Sequence, residues 1–507
     1  MNNRQKEKGI TLIALAVTII VMLILAGVTI TTLTGEHGII KMAQEAKNKK
    51  DTAEKKEEKN LDEMEKVMDG IMVDIEEPER AEIAKGFKEG RGTEKNPYII
   101  ENAEQLKYFA SLVNAGEKFE GKYVSITQTI DLENNEFIPI GLGSIGNRKE
   151  TEWNMENSFD GILEGNGNVI TGVKITQEEA HGVGIIGVLG ENGVVKNLNT
   201  ENGTIIGRTC VGGIVGASKG QIINCTNKLT IIAQDNANVN NSGQQAGGIV
   251  GFATMGIIDN CKNYGEIITK DDSLKTSRGK YAGGIVGDAY LEKDLTISNC
   301  INSGIVTTVY QQAGGIIAST EYSTNKLTIK KCKNLGTIKS EINNLGLGNC
   351  LVGGIIGWGT TELEIEDCHN FGEIITDYTA GGIAGKIEKG TITGCSNVGN
   401  VMASNDVGGI VGWQKVGTIT GCSNGGEVTT NNYQAGGIVG RLETGKIIEC
   451  SNNGIIIANK SNAGGIIGAN QEGIVENCSN SGEIISKDHQ AGGITRSISG
   501  WNNNRMQ

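Results

Sequence analysis

Paired glycines recur along this chain at a spacing too regular for anything but a repeat. The pairs begin at Gly212, Gly247, Gly283, Gly314, Gly353, Gly381, Gly408, Gly436, Gly464 and Gly492, at intervals of 31 to 39 residues early and 27 or 28 late. Glycine costs about 1 kcal/mol relative to Ala inside a helix, so a chain with 75 Gly in 507 residues does not build this region from helices. Collagen needs Gly at every third position and abundant Pro; here Pro is 3. Disorder fits poorly too, because the 38% hydrophobic fraction is rich in Ile and Val and can bury surface.

Between successive Gly pairs lies a second signature, I-x-x-C-x-N-x-G-x-I, seen at Ile258, Cys261, Asn263, Gly265 and Ile267, and again at Ile419, Cys422, Asn424, Gly426 and Val428. Apolar stretches of three to five residues bounded by Gly or Asn read as strands, since helices need about 10 residues or more. One such unit cannot bury its own apolar face, so copies must stack. The expected fold is all-β: a parallel β-solenoid (β-helix) of about ten to eleven coils, on the order of 50 Å long at about 4.8 Å per coil. The Ile or Val three before each Cys and the Cys itself should both point inward. Strand side chains alternate, so a corner is expected between them, at the residue before the Cys. A second, left-handed corner is expected at the Asn two beyond the Cys and the following Gly, with the Asn amides stacked coil to coil.

Nine of the 11 Cys occupy the repeat column, Cys225 through Cys478, with Cys210 and Cys350 outside it. In-register neighbours point the same way and rarely reach disulfide torsions, so a file of buried reduced thiols is expected. Paired C-x-x-C ligands are absent from the sequence, and no metal or cofactor is expected. Cys368-His369 suggests a Cys/His dyad, but sequence neighbours in a strand face opposite sides. No H-E-x-x-H, G-x-S-x-G or Walker sequence occurs, and no catalytic residue is assigned. The surviving enzymatic alternative is a polysaccharide-active β-helix of lyase or glycoside hydrolase type. It would draw on carboxylates such as Asp131, Asp160, Glu364, Glu366 and Asp367, with Trp358 and Trp413, at the same motif position two coils apart, as a sugar-stacking patch. A net charge of -13 argues against a nucleic-acid partner.

The N-terminus is organised differently. A basic leader, 1–9, carries Arg4, Lys6 and Lys8, and residues 10–30 run without a charge, long enough at about 1.5 Å per residue to span a bilayer as a helix. Basic residues preceding the span keep the leader inside and send the rest out. A charged helical extension is expected over 31–75, a linker over 76–92, and a leading segment with the first coils over 93–180, including a short amphipathic helix from Ala103 to Val113. The repeats fill 181–495 and a tail 496–507.

Lys8-Gly9-Ile10-Thr11-Leu12 resembles the type IV prepilin processing motif. The resemblance implies cleavage between Gly9 and Ile10 and partnership with prepilin peptidase and a pilus or secretion machinery. The family's usual Glu at the fifth mature position is Ala14 here, which removes the carboxylate partner of a terminal amine in an apolar filament core. The repeats resemble the GLUG motif, with Gly-Gly-Ile-Val-Gly at Gly247–Gly251 and Gly408–Gly412 standing at its core. That resemblance implies a bacterial surface protein, and in some IgA-cleaving metallopeptidases the repeat is accessory rather than catalytic. The combined expectation is a non-catalytic, membrane-anchored protein displaying an extracellular solenoid, or a pseudopilin-like one, that binds a surface glycan or protein; the binding residues are not identified from sequence.

Overall fold

The computed structural model describes residues 86–143, 157–235, 244–271, 280–320, 323–341, 350–488 and 491–497, all within one unit, Ala84–Gln507. The basic leader, the apolar stretch 10–30, the charged extension, and Gly9, Ile10 and Ala14 lie outside the described residues. Among those described, no helix is long and apolar enough to cross a membrane.

Each coil pairs with the next in parallel register, so that a residue hydrogen-bonds to its equivalent one repeat later. The coil containing Ala384–Thr393, Ser396–Asn397, Val401–Ala403 and Val407–Gly408 pairs strand for strand with Val411–Thr420, Ser423–Asn424, Val428–Thr430 and Ala435–Gly436. Along the face that leads into the Cys column, twelve successive pairings join thirteen rungs, from Tyr98–Ile100 to the strand ending at Glu476. The face that follows each Gly pair has eleven, from Ile186–Leu189 to Thr495–Ser497. The ten Gly pairs therefore undercount both faces, the second by the one rung at Ile186–Leu189 and the first by three. The leading segment contributes rungs before the first Gly pair, where single bridges such as Ile140 to Ile186 replace the strand.

The edge of the first rung is covered. Lys88 N donates to Ile99 O and Ile99 N to Glu89 O, while helix α1 (Ala103–Asn114) is capped by Asn102, whose side chain accepts from Gln105 N at 3.0 Å. Its buried Leu106, Phe109, Ala110 and Val113 join an aromatic cluster in which Phe87 stacks on Tyr98 at 4.6 Å and Phe109 meets Phe119 edge-on at 5.0 Å.

The corner before the Cys is where burial logic places it. Asn224, Asn260, Asn299, Lys331, Asp367, Gly394, Gly421, Glu449 and Asn477 all have φ between 51° and 64°. This left-handed residue lets both flanking side chains face in: Ile222, Ile258, Ile297 and Ile329 are buried with Cys225, Cys261, Cys300 and Cys332. The second corner is built differently from the expectation, because neither the column Asn nor the Gly after it has positive φ. Instead the Asn side chain makes the turn. Asn263 Nδ2 donates to Gly265 O at 3.0 Å, and its Oδ1 accepts from Gly265 N at 3.2 Å. Its second amide hydrogen goes to Asn302 Oδ1 at 2.8 Å, and the chain of amides continues through Asn334, Asn370, Asn397, Asn424 and Asn452 to Asn480. At the other end Thr200 Oγ1 donates to Asn227 Oδ1 at 3.1 Å. Glycine is required for space: a Cβ on Gly265 would strike Leu229 O, and one on Gly248, the second of a pair, would strike Gly284 O and the Asn263 amide.

Candidate functional site

The thiol file is a structural device. All eleven Cys are free, ten of them buried and Cys478 half-buried. The left-handed corner breaks the backbone ladder, and sulfur repairs it. Cys332 N donates to Cys368 Sγ, Cys368 N to Cys395 Sγ and Cys395 N to Cys422 Sγ, each at 3.4 Å. Each thiol also donates, as from Cys368 Sγ to Glu366 O at 3.3 Å. A small aliphatic residue would fill the volume but offer no acceptor, a requirement that periodicity alone does not reveal. Burial pushes the Cys225 thiol up and that of Cys350 up to about 11; contact with Cys422 first, then burial, pushes Cys450 up to about 12. Such thiols are protonated and poor nucleophiles.

His369 faces outward from Cys368, with Nδ1 2.8 Å from Ser396 Oγ, so the two form no dyad. The carboxylates singled out in the sequence are not gathered into one site; only Glu364 and Glu366 meet, sharing Lys330 at 3.8 and 2.8 Å. Asp131 accepts from Glu133 N at 2.8 Å and Asp160 from Ser158 Oγ at 2.6 Å, both in the first coils. Glu364 pairs with Lys326 at 2.8 Å and Glu366 with Lys330 at 2.8 Å, while Asp367 is a left-handed corner.

Trp358 and Trp413 do share an outward column, in register with Lys386 between them and Arg441 beyond. Lys386 Nζ lies 4.0 Å from the Trp413 ring centre and 5.7 Å from that of Trp358, and Arg441 Cζ lies 4.6 Å from Trp413. The rungs on both sides of Trp413 therefore place a cation over its ring, and a sugar has no free face of it to stack on. Glu388 pairs with Lys386 at 2.7 Å and Lys415 at 2.8 Å, and Trp413 Nε1 donates to Glu443 at 3.1 Å. Trp413 is thus enclosed in a cation–π and ion-pair stack, while Trp358 has Lys386 on one side and the rung of Ser319 on the other.

A polar groove of about 670 Å³ opens where turns from successive early coils line up, among them Lys219, Gln221, Met255, Ile257 and Asp294. Lys219 pairs with Glu292 at 2.7 Å, and Lys293 reaches Glu191 across the coils. The alternation of burial continues over the strands after each Cys, leaving Tyr264, Leu335, Phe371 and Val398 exposed at one repeat position. Among the described residues, no group of three or more His, Cys, Asp or Glu side chains could hold a metal.

The GLUG motif family model matches residues 460–485, a segment that contains the Gly464 pair, Cys478 and Asn480. Halomucin of Haloquadratum walsbyi is 28% identical over 176 residues, 32% of this chain and 2% of that protein. A protein of Evansella cellulosilytica named as a Gly-rich membrane protein is 29% identical over 191 residues, 32% of this chain and 21% of that one. This chain thus spans a small part of the length of either relative. A solved structure from Bacteroides ovatus, named as an immunoglobulin A1 protease, aligns over 63% of this chain and 87% of its own at 20% identity with a TM-score of 0.43; a likeness that distant carries no argument about function.

Proposed function

We propose that the protein is a non-catalytic display scaffold: a GLUG-type β-solenoid held at a bacterial cell surface by its N-terminal segment, with the solenoid outside, working by adhesion or ligand binding. The carrying observation is the division of labour within each coil. Inward positions are committed to Ile, Cys and Asn ladders that hold the stack, while outward columns change from coil to coil and are free to be selected for contact. The match at 460–485 and a relative named as a Gly-rich membrane protein support this reading. Residues 10–30 anchor the chain, and Gly9-Ile10 is the processing junction of a prepilin-type leader. With Ala14 in place of the family's Glu, the helix serves as an anchor or as part of a minor pseudopilin rather than of an ordinary pilus shaft.

The reading is tested by passing the full chain over immobilised bacterial and host glycans. Retention without shortening of the sugars is expected; release of shorter sugars would replace display with polysaccharide cleavage. Mass spectrometry of the cell-associated protein should find Ile10, methylated, as the first residue, and an intact leader would remove the prepilin element.

A further inference from the structure

We infer that the strip of sheet after the Cys column, around Leu335 and Phe371, binds a linear acidic polysaccharide lying along the stack. The inference rests on the ligand-binding reading above and names its ligand class and residues. Tyr264 is 51% exposed, Leu335 and Phe371 49% each and Val398 53%, all at the position between the column Asn and Gly. Ile305 and Met402 stand exposed on the neighbouring outward columns. Exposed apolar side chains scattered singly are ordinary, but several on one face of adjoining rungs mark a contact surface.

The flanks are cationic where the stripe is centred. On the rung of Leu335, Lys331 and Lys333 are exposed and Lys339 half-exposed, and no acidic residue lies between Lys331 and Lys339. Lys333 is in register with His369, and Lys339 with Ile375. Asp367, at the corner position equivalent to Lys331, and Glu373 stand one rung on, so the positive field is confined to the rung of Leu335 in a chain that is acidic overall.

Sugar rather than peptide follows from the backbone. Every strand here is already bonded on both edges to the coils before and after it, which leaves no free edge for an added strand. What remains is a flat face of apolar side chains, hydroxyls at Ser303 and Thr337, and lysines. Pyranose rings lay their C–H faces on aromatic and aliphatic groups, and their carboxylates pair with lysines. One rung advances about 4.8 Å, close to what one pyranose adds to an extended chain, so successive sugars meet successive rungs.

The test uses the full chain with oligogalacturonate, cello-oligosaccharide as the uncharged control, and poly-glutamate as competitor. Oligogalacturonate should bind in low salt and weaken as salt rises. Phe371→Ala should lose about tenfold in affinity, and Lys333→Glu combined with Lys339→Glu should lose at least as much and flatten the salt dependence. Tyr433→Ala, an equally exposed aromatic elsewhere in the coil, should bind as the parent does. Binding that is unchanged by the Phe371 and lysine substitutions overturns this assignment and leaves the display reading standing. Equal binding of cello-oligosaccharide overturns the acidic class, and full displacement by poly-glutamate favours a protein partner instead. Absence of binding to any of these sugars overturns the proposal, and retention on other immobilised ligands then decides the display reading separately.

Discussion

The early and late coils share an interior and differ outside. Before Cys350 the strand after the Gly pair and the strand before the Cys are separate, as in Val215–Ser218 and Gln221–Ile223. The turns between them project far enough to build the groove and its long-range ion pairs. In the last coils the two strands fuse into one ten-residue strand, as in Ala384–Thr393, Val411–Thr420 and Val439–Ile448, and the repeat shortens to 27 or 28 residues. The Ile, Cys and Asn columns pass through both without interruption. Inward positions are fixed by stacking, which admits little variation, whereas insertion is tolerated wherever a loop can stand in water.

If the interiors are the same, Ile329→Ala in an early coil and Ile392→Ala in a late one should cost alike, about 2–5 kcal/mol each, as a cavity in a well-packed core does. Both residues are fully or almost fully buried. Local opening free energies from amide hydrogen exchange are the measure, because a repeat array need not unfold in one step; a difference of several kcal/mol would break the comparison.

Acid should separate the regions. His181, in the early part, has its pKa lowered to about 4 by burial and the nearby Arg208 charge. The unfolded chain binds that proton from about pH 6.5, so the early coils lose stability as pH falls from there to about 4, by about 2 kcal/mol after discounting for partial exposure. Asp406, in the late part, has its pKa raised to about 6 by burial, against the pull of Arg441. There the folded state takes up the proton first, so that residue's penalty is relieved as pH falls from about 6 toward 4, by about 2 kcal/mol. Exchange followed across this window should show early amides opening more and late ones less, and parallel behaviour would contradict the two assignments.

Much of this was legible in the sequence, because a repeat reports each position many times. The inward pair of Ile and Cys, the corner between them and the stacking of Asn all follow from alternation and from which residues tolerate φ above zero. Alternation could not tell that the column Asn turns the chain with its side chain, nor that Cys is there to accept a backbone N–H; both depend on hydrogen bonds rather than on burial. Nor could it show that Trp413 lies between two cations, since that depends on Lys386 and Arg441 occupying adjacent rungs.

Smaller effects sharpen the picture at the corner and the surface. Glu449 holds φ 52° where Gly421, one coil earlier, holds 61°. Glu449→Gly should therefore stabilise its coil by about 1 kcal/mol and Gly421→Glu should destabilise by a similar amount, read by exchange of the flanking amides. Lys415→Ala removes one of two lysines on Glu388 and should change stability by no more than about 0.5 kcal/mol in a denaturant titration.

The stack itself is tested most directly by thiol labelling of the native, unreduced protein, with each site located by peptide mass spectrometry. Cys478, the least buried, should be the first to react, slowly because contact with Cys450 and burial push its thiol up, while Cys225, Cys261, Cys300, Cys332, Cys368, Cys395, Cys422 and Cys450 stay unlabelled until denaturant is added, then all label as free thiols. Rapid native labelling along the column, or disulfides between its members, would contradict a closed file of sulfur through stacked coils.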